Sequence, residues 1–106
     1  MTWTIEFHTE ARAEIDGWPI ELQAALVRIF DRIETLGLER IREPMLKHLE
    51  GRLWEMRPSG KHIEGRALYV TLKGRRVVVV LGFLKKTQKT PRRLIELALQ
   101  RAEEVE

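Results

Sequence analysis

Hydrophobic and polar positions alternate at the start of the chain and then change to a helical period. Residues 3–8 read Trp-Thr-Ile-Glu-Phe-His, a period of two that predicts a short strand with one apolar face. Further on, apolar residues recur at steps of four and three along one stripe of a predicted helix: Leu22, Leu26, Ile29, Ile33 and Leu36. Pro19 suits the first turn of this helix and Gly37 its end, and a shorter helix is predicted over 9–16.

The second half of the chain has the pattern of strands followed by one helix. Three apolar segments are predicted as strands: 53–57, 66–72 and 75–84. The last of them is apolar at nearly every position, so we expect it to be central in a sheet and covered on both faces. Residues 38–52 are irregular and predict a packed loop, with or without one helical turn, and 61–65 predict a polar loop. Thr90 and Pro91 suit the start of a last helix.

Length and composition predict one folded domain. The chain has 106 residues, the size of a single compact domain, and we expect residues 1–106 to form one. Its hydrophobic fraction of 43% and charged fraction of 33% are typical of a soluble globular protein. The absence of cysteine excludes disulfides, thiolate metal sites and cysteine nucleophiles. Because no secretory signal and no long apolar run occur, the sequence predicts a cytoplasmic protein without a membrane partner.

Charge is distributed unevenly along the chain. Residues 1–51 carry six Lys or Arg and ten Asp or Glu, whereas residues 52–106 carry thirteen and six. Between 52 and 93, twelve basic residues accompany only two acidic ones, Glu55 and Glu64, for a net charge of +10. Such a concentration favours a polyanionic partner, because phosphates release counterions on contact with Lys and Arg. A solvated basic face that maintains solubility is the alternative.

Motifs of several common enzyme classes are missing from the sequence. There is no GxxxxGK(S/T), GxGxxG, HExxH or GxSxG motif and no calcium loop. The histidines His8, His48 and His62 lie on separate segments without ligand spacing, so no metal site is predicted. Nucleotide-binding and zinc enzymes are therefore disfavoured.

Basic residues mark the ends of the predicted strands. Arg57 ends one strand, Arg66 begins the next, and Lys85 and Lys86 follow the long apolar strand. In a meander these cations can meet at one rim of the sheet, where an anion such as phosphate neutralises them. Planar arginines bind phosphate oxygens bidentately and can stabilise a pentavalent phosphoryl transition state without a metal. The sequence therefore predicts a phosphate site at this rim.

Three segments of the chain resemble one toxin family. They are Leu-Trp-Glu-Met-Arg at 53–57, Gly-Arg-Ala-Leu-Tyr at 65–69, and the run 77–91, which contains Phe-Leu-Lys-Lys-Thr-Gln-Lys-Thr-Pro. In these segments, and in element order and size along nearly the whole chain, the sequence resembles the phage-derived, HigB-type branch of the RelE/ParE toxin superfamily. The resemblance implies a RelE-like α+β fold, in which N-terminal helices pack on a largely antiparallel four-stranded sheet with a C-terminal helix.

The resemblance also implies a function and partners. It predicts the toxin of a type II toxin–antitoxin system, an endoribonuclease that cleaves mRNA in the ribosomal decoding site and so inhibits translation. In the implied reaction an RNA 2′-hydroxyl attacks the adjacent phosphate, which needs no cofactor. The implied partners are a cognate antitoxin, often a helix-turn-helix protein in this branch, together with the ribosome and mRNA.

Roles for individual residues follow the resemblance position by position. Arg57 and Arg66 match the basic positions that contact the scissile phosphate in such toxins, and Lys85 or Lys86 matches the basic position after the last strand. Glu55 stands where the RelE branch has a lysine. It is either a general base or a structural counter-ion of Arg57, because residues two apart in a strand share a face.

The resemblance does not assign the residues that transfer protons or contact RNA as directly. No Tyr or His follows Tyr69, although several relatives use one near the C-terminus for proton transfer or base stacking. His62, on the loop between the two arginines, is a further candidate for proton transfer, with simple solvation as the alternative. Contacts with RNA are assigned to four more basic residues, for which plain exposure is the alternative: Lys61, Lys89, Arg92 and Arg93.

The aromatic residues near this rim have separate predictions. Trp54 and Phe83 are predicted to pack in the core rather than to stack on a base. Tyr69 alternates with Leu68 and Val70, so its hydroxyl either reaches the rim or caps the sheet.

Two other functions fit the same architecture. One is a ParE-like gyrase poison that acts by binding a protein, and the other is an inactive nucleic-acid-binding regulator. The block of basic residues between 85 and 91 favours the endoribonuclease over the gyrase poison.

Overall fold

The computed structural model describes residues 2–106, which form three helices, one short 3-10 turn and six strands. The helices are α1 (Thr9–Asp16), α2 (Ile20–Leu36) and α3 (Arg92–Glu104), and the 3-10 turn is Leu38–Arg40. The strands are β1 (Thr4–Phe7), β2 (Leu46–Glu50), β3 (Leu53–Met56), β4 (Ser59–Gly60), β5 (Ile63–Leu72) and β6 (Arg76–Leu84). Among residues 2–106, no helix has both the length and the apolar character that crossing a bilayer requires.

The strands form one mixed sheet in the order β1-β6-β5-β3-β2, and β4 pairs with β5 outside this path. β1 is parallel to β6, and the other pairs are antiparallel. The prediction of an α+β fold with a largely antiparallel sheet is therefore confirmed, whereas the prediction of four strands is wrong. β6 lies inside the sheet between β1 and β5, as its continuous apolar run predicts.

The additional strands, β2 and β4, lie in or directly beside segments for which the sequence predicts loops. β2 falls within 38–52, where Leu46 is buried but Lys47 and His48 are exposed. It is an edge strand, and the charged residues typical of edges hide its hydrophobic period. β4 lies just before the predicted loop 61–65 and forms a tight hairpin with the start of β5, which lies inside that loop; His62 adopts a φ of +65° at the turn between them.

Helices cover both faces of the sheet. α1 and α2 pack on one face, where their buried stripes meet β1, β5 and β6, and α3 packs on the other face. The stripe predicted on α2 is buried from Leu22 to Ile33, and Leu36 at its end is exposed. Gly82 allows the close approach of α1, because a Cβ atom at this position would lie 2.5 Å from Ile15 Cγ1.

A β-bulge in β6 changes which residues face α3. Tyr69 pairs with Val79 and Leu68 pairs with Leu81, so Val80 has no partner position in β5. As a result, both Val80 and Leu81 are buried in the cluster under α3. Bulges re-aim side chains in this way.

An ion pair between α1 and α3 binds main-chain groups of β6 beyond the end of β1. β1 ends at Phe7, and beyond it the Gly82 N–H donates to Glu14 Oε1 at 3.0 Å while Arg101 Nη1 donates to the Val80 carbonyl at 2.9 Å. Arg101 also donates to both oxygens of Glu14, at 3.0 and 2.9 Å. Glu14 of α1 and Arg101 of α3 thus take the place of a strand and satisfy two main-chain groups.

Trp54 and Tyr69 lie on the face that carries α1 and α2. Tyr69 is buried there and contributes to the core. The prediction that Trp54 faces the core is wrong, because 40% of its surface is exposed and its ring packs against His48 at a centroid distance of 5.0 Å. β3 lies next to the edge strand β2, so its side chains on this face reach the rim of the core.

Candidate functional site

The candidate site lies on the face of the sheet that carries α3. Glu55 of β3 is opposite Leu68 of β5, a core residue of that face, and Arg66 of β5 is opposite Phe83 of β6. Residues two apart in a strand share a face, so Arg57, which follows β3, projects to the same side as Glu55. The alternation that buries the core under α3 therefore also gathers the two predicted arginines on one side of the sheet.

The carboxylate of Glu55 lies at the centre of this group. Its exposed fraction is 4%, and its Oε2 is 3.6 Å from Arg57 Nε and 3.8 Å from Arg66 Nε. Thr90 Oγ1 donates to the other oxygen, Oε1, at 3.2 Å. A buried carboxylate requires such partners, because desolvation disfavours an unpaired charge. Glu55 therefore contacts both arginines and also the segment that leads into α3.

Thr90 does not cap α3. The residue before the first helical turn is Pro91, so α3 begins one position later than Thr90 and Pro91 predict. The Thr90 side chain is instead used in the contact with Glu55. Glu55 and Thr90 are 35 positions apart, so no local pattern in the sequence indicates this contact.

Glu64 is a member of the site that the sequence analysis did not assign. Its Oε1 is 3.3 Å from Arg66 Nη2 and 3.5 Å from Lys85 Nζ, so it bridges the two cations. The charge of Lys85, together with the hydrogen bond from Arg66, holds the pKa of Glu64 below its usual range. One feature of the sequence could have indicated Glu64: it is one of only two acidic residues, with Glu55, between 52 and 93.

Arg66 is the central residue of the site. Only 4% of its surface is exposed, and its Nη1 donates to the carbonyl of Gly65 at 2.7 Å. Its remaining contacts are with the carboxylates of Glu55 and Glu64. The guanidinium is thus held in place by the protein and neutralised by two of its own carboxylates.

Two clefts meet at Arg66. We call the first the α3 cleft; its volume is about 510 Å³, and its lining includes Arg66, Phe83, Lys85, Lys86, Lys89, Pro91, Arg93 and Leu94. We call the second the β2 cleft; its volume is about 330 Å³, and it is lined by Pro44, Met45, Arg57, Ser59, Glu64 and Arg66. Arg66 and both lysines thus share one cleft, and Arg57 lies in the adjoining one.

Lys61 and His62 lie at the tip of the β4–β5 hairpin. His62 is exposed and lines a third, open cleft of about 880 Å³ together with Lys85 and Lys86. Lys61 is also exposed, and its main-chain N–H donates to Glu21 Oε2 at 3.2 Å. The structure therefore places His62 and the two lysines on one open cleft, while Lys61 lines none of these three clefts.

Arg92 and Arg93, adjacent in sequence, have different surroundings. Arg93 and Lys89 line the α3 cleft. Arg92 instead donates from Nη2 to Glu50 Oε2 at 2.8 Å and from Nε to Glu96 Oε2 at 3.3 Å, and these bonds raise the pKa of its guanidinium. Arg92 thus connects α3 to β2 and does not line either cleft at Arg66.

The two aromatic candidates, Tyr69 and Phe83, lie on opposite faces of the sheet. Tyr69 is on the opposite face of the sheet, where burial raises the pKa of its hydroxyl group. Phe83 packs against the core under α3, as predicted, but it is only half-buried and also lines the α3 cleft. Within residues 2–106, no group of three or more His, Cys, Asp or Glu side chains is placed to hold a metal ion.

Comparisons with known proteins show which fold and which sequence family this chain has. The structure is similar to a chain in the crystal structure of the archaeal RelE-RelB complex from Pyrococcus horikoshii OT3, with a TM-score of 0.58 and 20% sequence identity over 85% of this chain and 100% of that chain. This similarity confirms the predicted RelE-like fold. No curated protein matches the sequence. Residues 13–103 match the family described as phage derived protein Gp49-like (DUF891), and the chain therefore belongs to this Gp49-like family.

Proposed function

We propose that this protein is the toxin of a type II toxin–antitoxin pair and that it is an endoribonuclease that cleaves mRNA on the translating ribosome. The observation that carries the proposal is the convergence of Arg57, Arg66, Lys85 and Lys86 on two clefts that share Arg66. Clustered cations beside a cleft suit a polyanion. The RelE-like fold and the resemblance to HigB-type toxins support the same assignment.

The proposed reaction is a transesterification at an RNA phosphate. The 2′ oxygen forms a bond to phosphorus, and the bond from phosphorus to the 5′ oxygen of the next nucleotide breaks. A base takes the 2′ proton and an acid protonates the departing 5′ oxygen, which leaves a cyclic phosphate and a 5′-hydroxyl. Arg57 and Arg66 stabilise the charge that develops on the phosphoryl oxygens, and Lys85 and Lys86 hold the flanking backbone.

Glu55 and His62 have different positions relative to this reaction. Both oxygens of Glu55 have partners, Thr90 on one side and the arginines on the other, so we assign it to orienting the arginines. His62 is exposed and lines the same open cleft as the two lysines, and imidazole is the side chain most often used as a general acid or base, so we propose it as the proton-transfer group. Lys89 and Arg93 lie where they can contact the RNA backbone beyond the scissile bond.

The basic region also defines the partners that we propose. Residues 52–93 have a net charge of +10, and a free surface with such a charge binds RNA of any sequence. A cognate antitoxin, proposed to be a helix-turn-helix protein, would cover these clefts until the toxin is released. The ribosome would supply the mRNA in an extended, single-stranded form.

Expression of the chain in growing bacteria tests the proposed function. We expect growth arrest, with new mRNA 5′ ends at codon positions on translated transcripts, when 5′ ends are mapped during induction. Co-expression of the neighbouring antitoxin gene should restore growth. Intact transcripts together with DNA damage would point to a gyrase poison, and intact transcripts with normal growth would point to an inactive regulator.

Glu64 competes with RNA for Arg66 and Lys85 in this arrangement. We expect Glu64→Gln to raise the affinity for a short RNA about two- to fivefold at low salt, because the variant removes an exposed carboxylate that an RNA phosphate must displace. Isothermal titration calorimetry measures the change. Glu39→Gln is the matched control, since Glu39 is an exposed partner of Arg75 outside both clefts. Equal affinities for the Glu64 variant and the wild type would contradict this role.

A further inference from the structure

A further cleft lies on the face of the sheet opposite the candidate site. We call it the tryptophan cleft, and its volume is about 550 Å³. Its lining includes Trp3, Ile41, Arg42, Leu46, Trp54 and Tyr69. Leu46 and Tyr69 belong to the core beneath α1 and α2, and Trp3 and Ile41 pack against that core. Within residues 2–106, this cleft shares no lining residue with the two clefts at Arg66, so it is separate from the proposed RNA site.

The indole N–H of Trp3 has no hydrogen-bond partner in this cleft. Its nitrogen is buried, and no acceptor in the described part of the chain completes a hydrogen bond with it. Glu39 also lines the cleft, and its pKa is lowered by its own main-chain N–H and to a smaller extent by the Trp3 indole, yet its exposed carboxylate does not close that bond. Packing therefore accounts for the indole ring but leaves its donor unused.

The hydroxyl group of Tyr69 is a second unused polar group. Only 1% of the surface of Tyr69 is exposed, although the residue lines the cleft. Burial alone raises the pKa of this hydroxyl, and no hydrogen-bonding or charged neighbour among residues 2–106 contributes to the shift. The hydroxyl therefore keeps its proton and can donate it. Trp54 is opposite Tyr69 in the β3–β5 pair and is 40% exposed, so aromatic surface lies open beside the hydroxyl.

The charges around the cleft indicate an uncharged ligand. Two arginines, Arg42 of the lining and Arg75 over the Trp3 ring, are matched in number by Glu39 and Glu43. Without an excess of positive charge, the cleft is unsuited to phosphate or carboxylate. An indole N–H can only donate, so the ligand must supply an acceptor. The volume and the aromatic lining suit a small, flat molecule.

We propose that the tryptophan cleft binds a small, flat, uncharged molecule whose carbonyl oxygen accepts hydrogen bonds from the Trp3 indole and the Tyr69 hydroxyl. The ring of this molecule packs against Trp54. The inference goes beyond the proposed function, because it concerns the opposite face of the sheet and a ligand that is not RNA. Water molecules that satisfy both donors are the alternative occupants.

Three small probes test the site on the full chain. Acetophenone has a flat ring and a carbonyl oxygen, toluene has the ring alone, and acetone has the carbonyl alone. We expect acetophenone to bind about three- to tenfold more tightly than toluene, the value of one net hydrogen bond, and acetone to bind more weakly than either. NMR titration measures the affinities.

The indole signals show where the probe binds. The chain has three tryptophans, so its spectrum has three indole N–H signals. Acetophenone should shift the signal of Trp3. Trp18 is buried in the core and does not line this cleft, so its signal should stay in place.

Variants that delete one donor and keep the ring assign the hydrogen bonds. Trp3→Phe and Tyr69→Phe should each reduce the advantage of acetophenone over toluene at least twofold, while the affinity for toluene stays unchanged. The main-chain signal of Thr71, which also lines the cleft, reports binding in both variants. Trp54→Phe is the matched control, because it makes the same change at the indole that serves as a wall, and it should keep the advantage.

The outcomes are decisive whether or not the chain cleaves RNA, because cleavage is not measured. Equal affinities of acetophenone and toluene for the wild type, or binding of neither, would overturn the site in favour of water. An advantage retained in both Trp3→Phe and Tyr69→Phe would also overturn it. If Trp3→Phe does not fold, Tyr69→Phe alone decides. An advantage lost in Trp54→Phe but kept in the other two variants would contradict the assigned donors.

Discussion

Replacement of Arg66 by glutamine is expected to lower the rate of RNA cleavage about 100- to 1000-fold, the range found when one preorganised donor to a developing oxyanion is removed. Arg66 is the residue common to both clefts, and three groups of the protein hold its guanidinium in place. A donor fixed in advance needs no reorganisation during the reaction. The measurement is single-turnover cleavage of translated mRNA by purified protein.

A lysine at position 66 should restore only part of the activity. Arg66→Lys keeps the positive charge but lacks the planar fork that binds two phosphate oxygens at once. We therefore expect its rate to fall between those of the wild type and Arg66→Gln. Equal rates for Arg66→Lys and the wild type would show that charge alone is required.

Loss of folding must be separated from loss of chemistry at this position. Arg66 is buried between Glu55 and Glu64, so its replacement leaves Glu55 with one guanidinium fewer and lowers stability. Arg57→Gln provides the second variant, because Arg57 is 26% exposed in its side chain and belongs to the same proposed machinery. Full activity in Arg57→Gln and Arg66→Gln, with both proteins folded by circular dichroism, would contradict the proposed site.

Replacement of Arg101 by methionine is expected to lower the free energy of unfolding by about 2 to 4 kcal/mol, less than for a fully buried ion pair because the side chain of Glu14 is 31% exposed. Its exposed fraction is 9%, and it binds both oxygens of Glu14 and the carbonyl of Val80. The variant leaves the carboxylate without its cation and the carbonyl without its donor. Urea denaturation followed by circular dichroism measures the change.

A matched change at an exposed ion pair provides the control. Arg52 pairs with Glu106 at 2.9 Å, and both side chains are about half exposed. Exposed pairs contribute little because water screens them, so Arg52→Met should change stability by less than about 1 kcal/mol. Similar losses in the two variants would contradict the special position of Arg101.

A double variant tests why the partly buried pair of Glu14 and Arg101 matters. Replacing both members of a buried ion pair with apolar residues is often harmless. Here the pair also serves the Val80 carbonyl and the Gly82 N–H, which have no strand beside them. Glu14→Leu combined with Arg101→Met should therefore remain less stable than the wild type, because two main-chain groups lose their partners. Full stability of the double variant would show that these main-chain bonds contribute little.

Much of the fold follows from local periodicity. The apolar stripe of α2 and the alternation in β5 depend on residues a few positions apart, so the sequence alone locates both elements. The RelE-like arrangement follows from segments that resemble a family. β2 is different, because its five residues include charged and exposed ones and become a strand through pairing with β3.

The candidate site, too, was predictable from the sequence only in part. Arg57, Arg66, Lys85 and Lys86 are found from their places at strand ends, and the structure brings them to adjoining clefts. The sequence did not indicate that Glu64 bridges two of these cations. Such contacts depend on which strands pair and in which register, and neither is visible in one segment.

By itself, the sequence determined the order of the main helices and strands, the family, and the basic residues at the strand ends, because each is a property of residues close together in the chain. Only the tertiary structure decided that Phe83 lines the α3 cleft, that Arg92 binds Glu50, and that Glu14 and Arg101 complete the edge of β6. These contacts join residues up to 87 positions apart. Their existence depends on strand register, the bulge at Val80 and the docking of α3, which form only when the whole chain has folded.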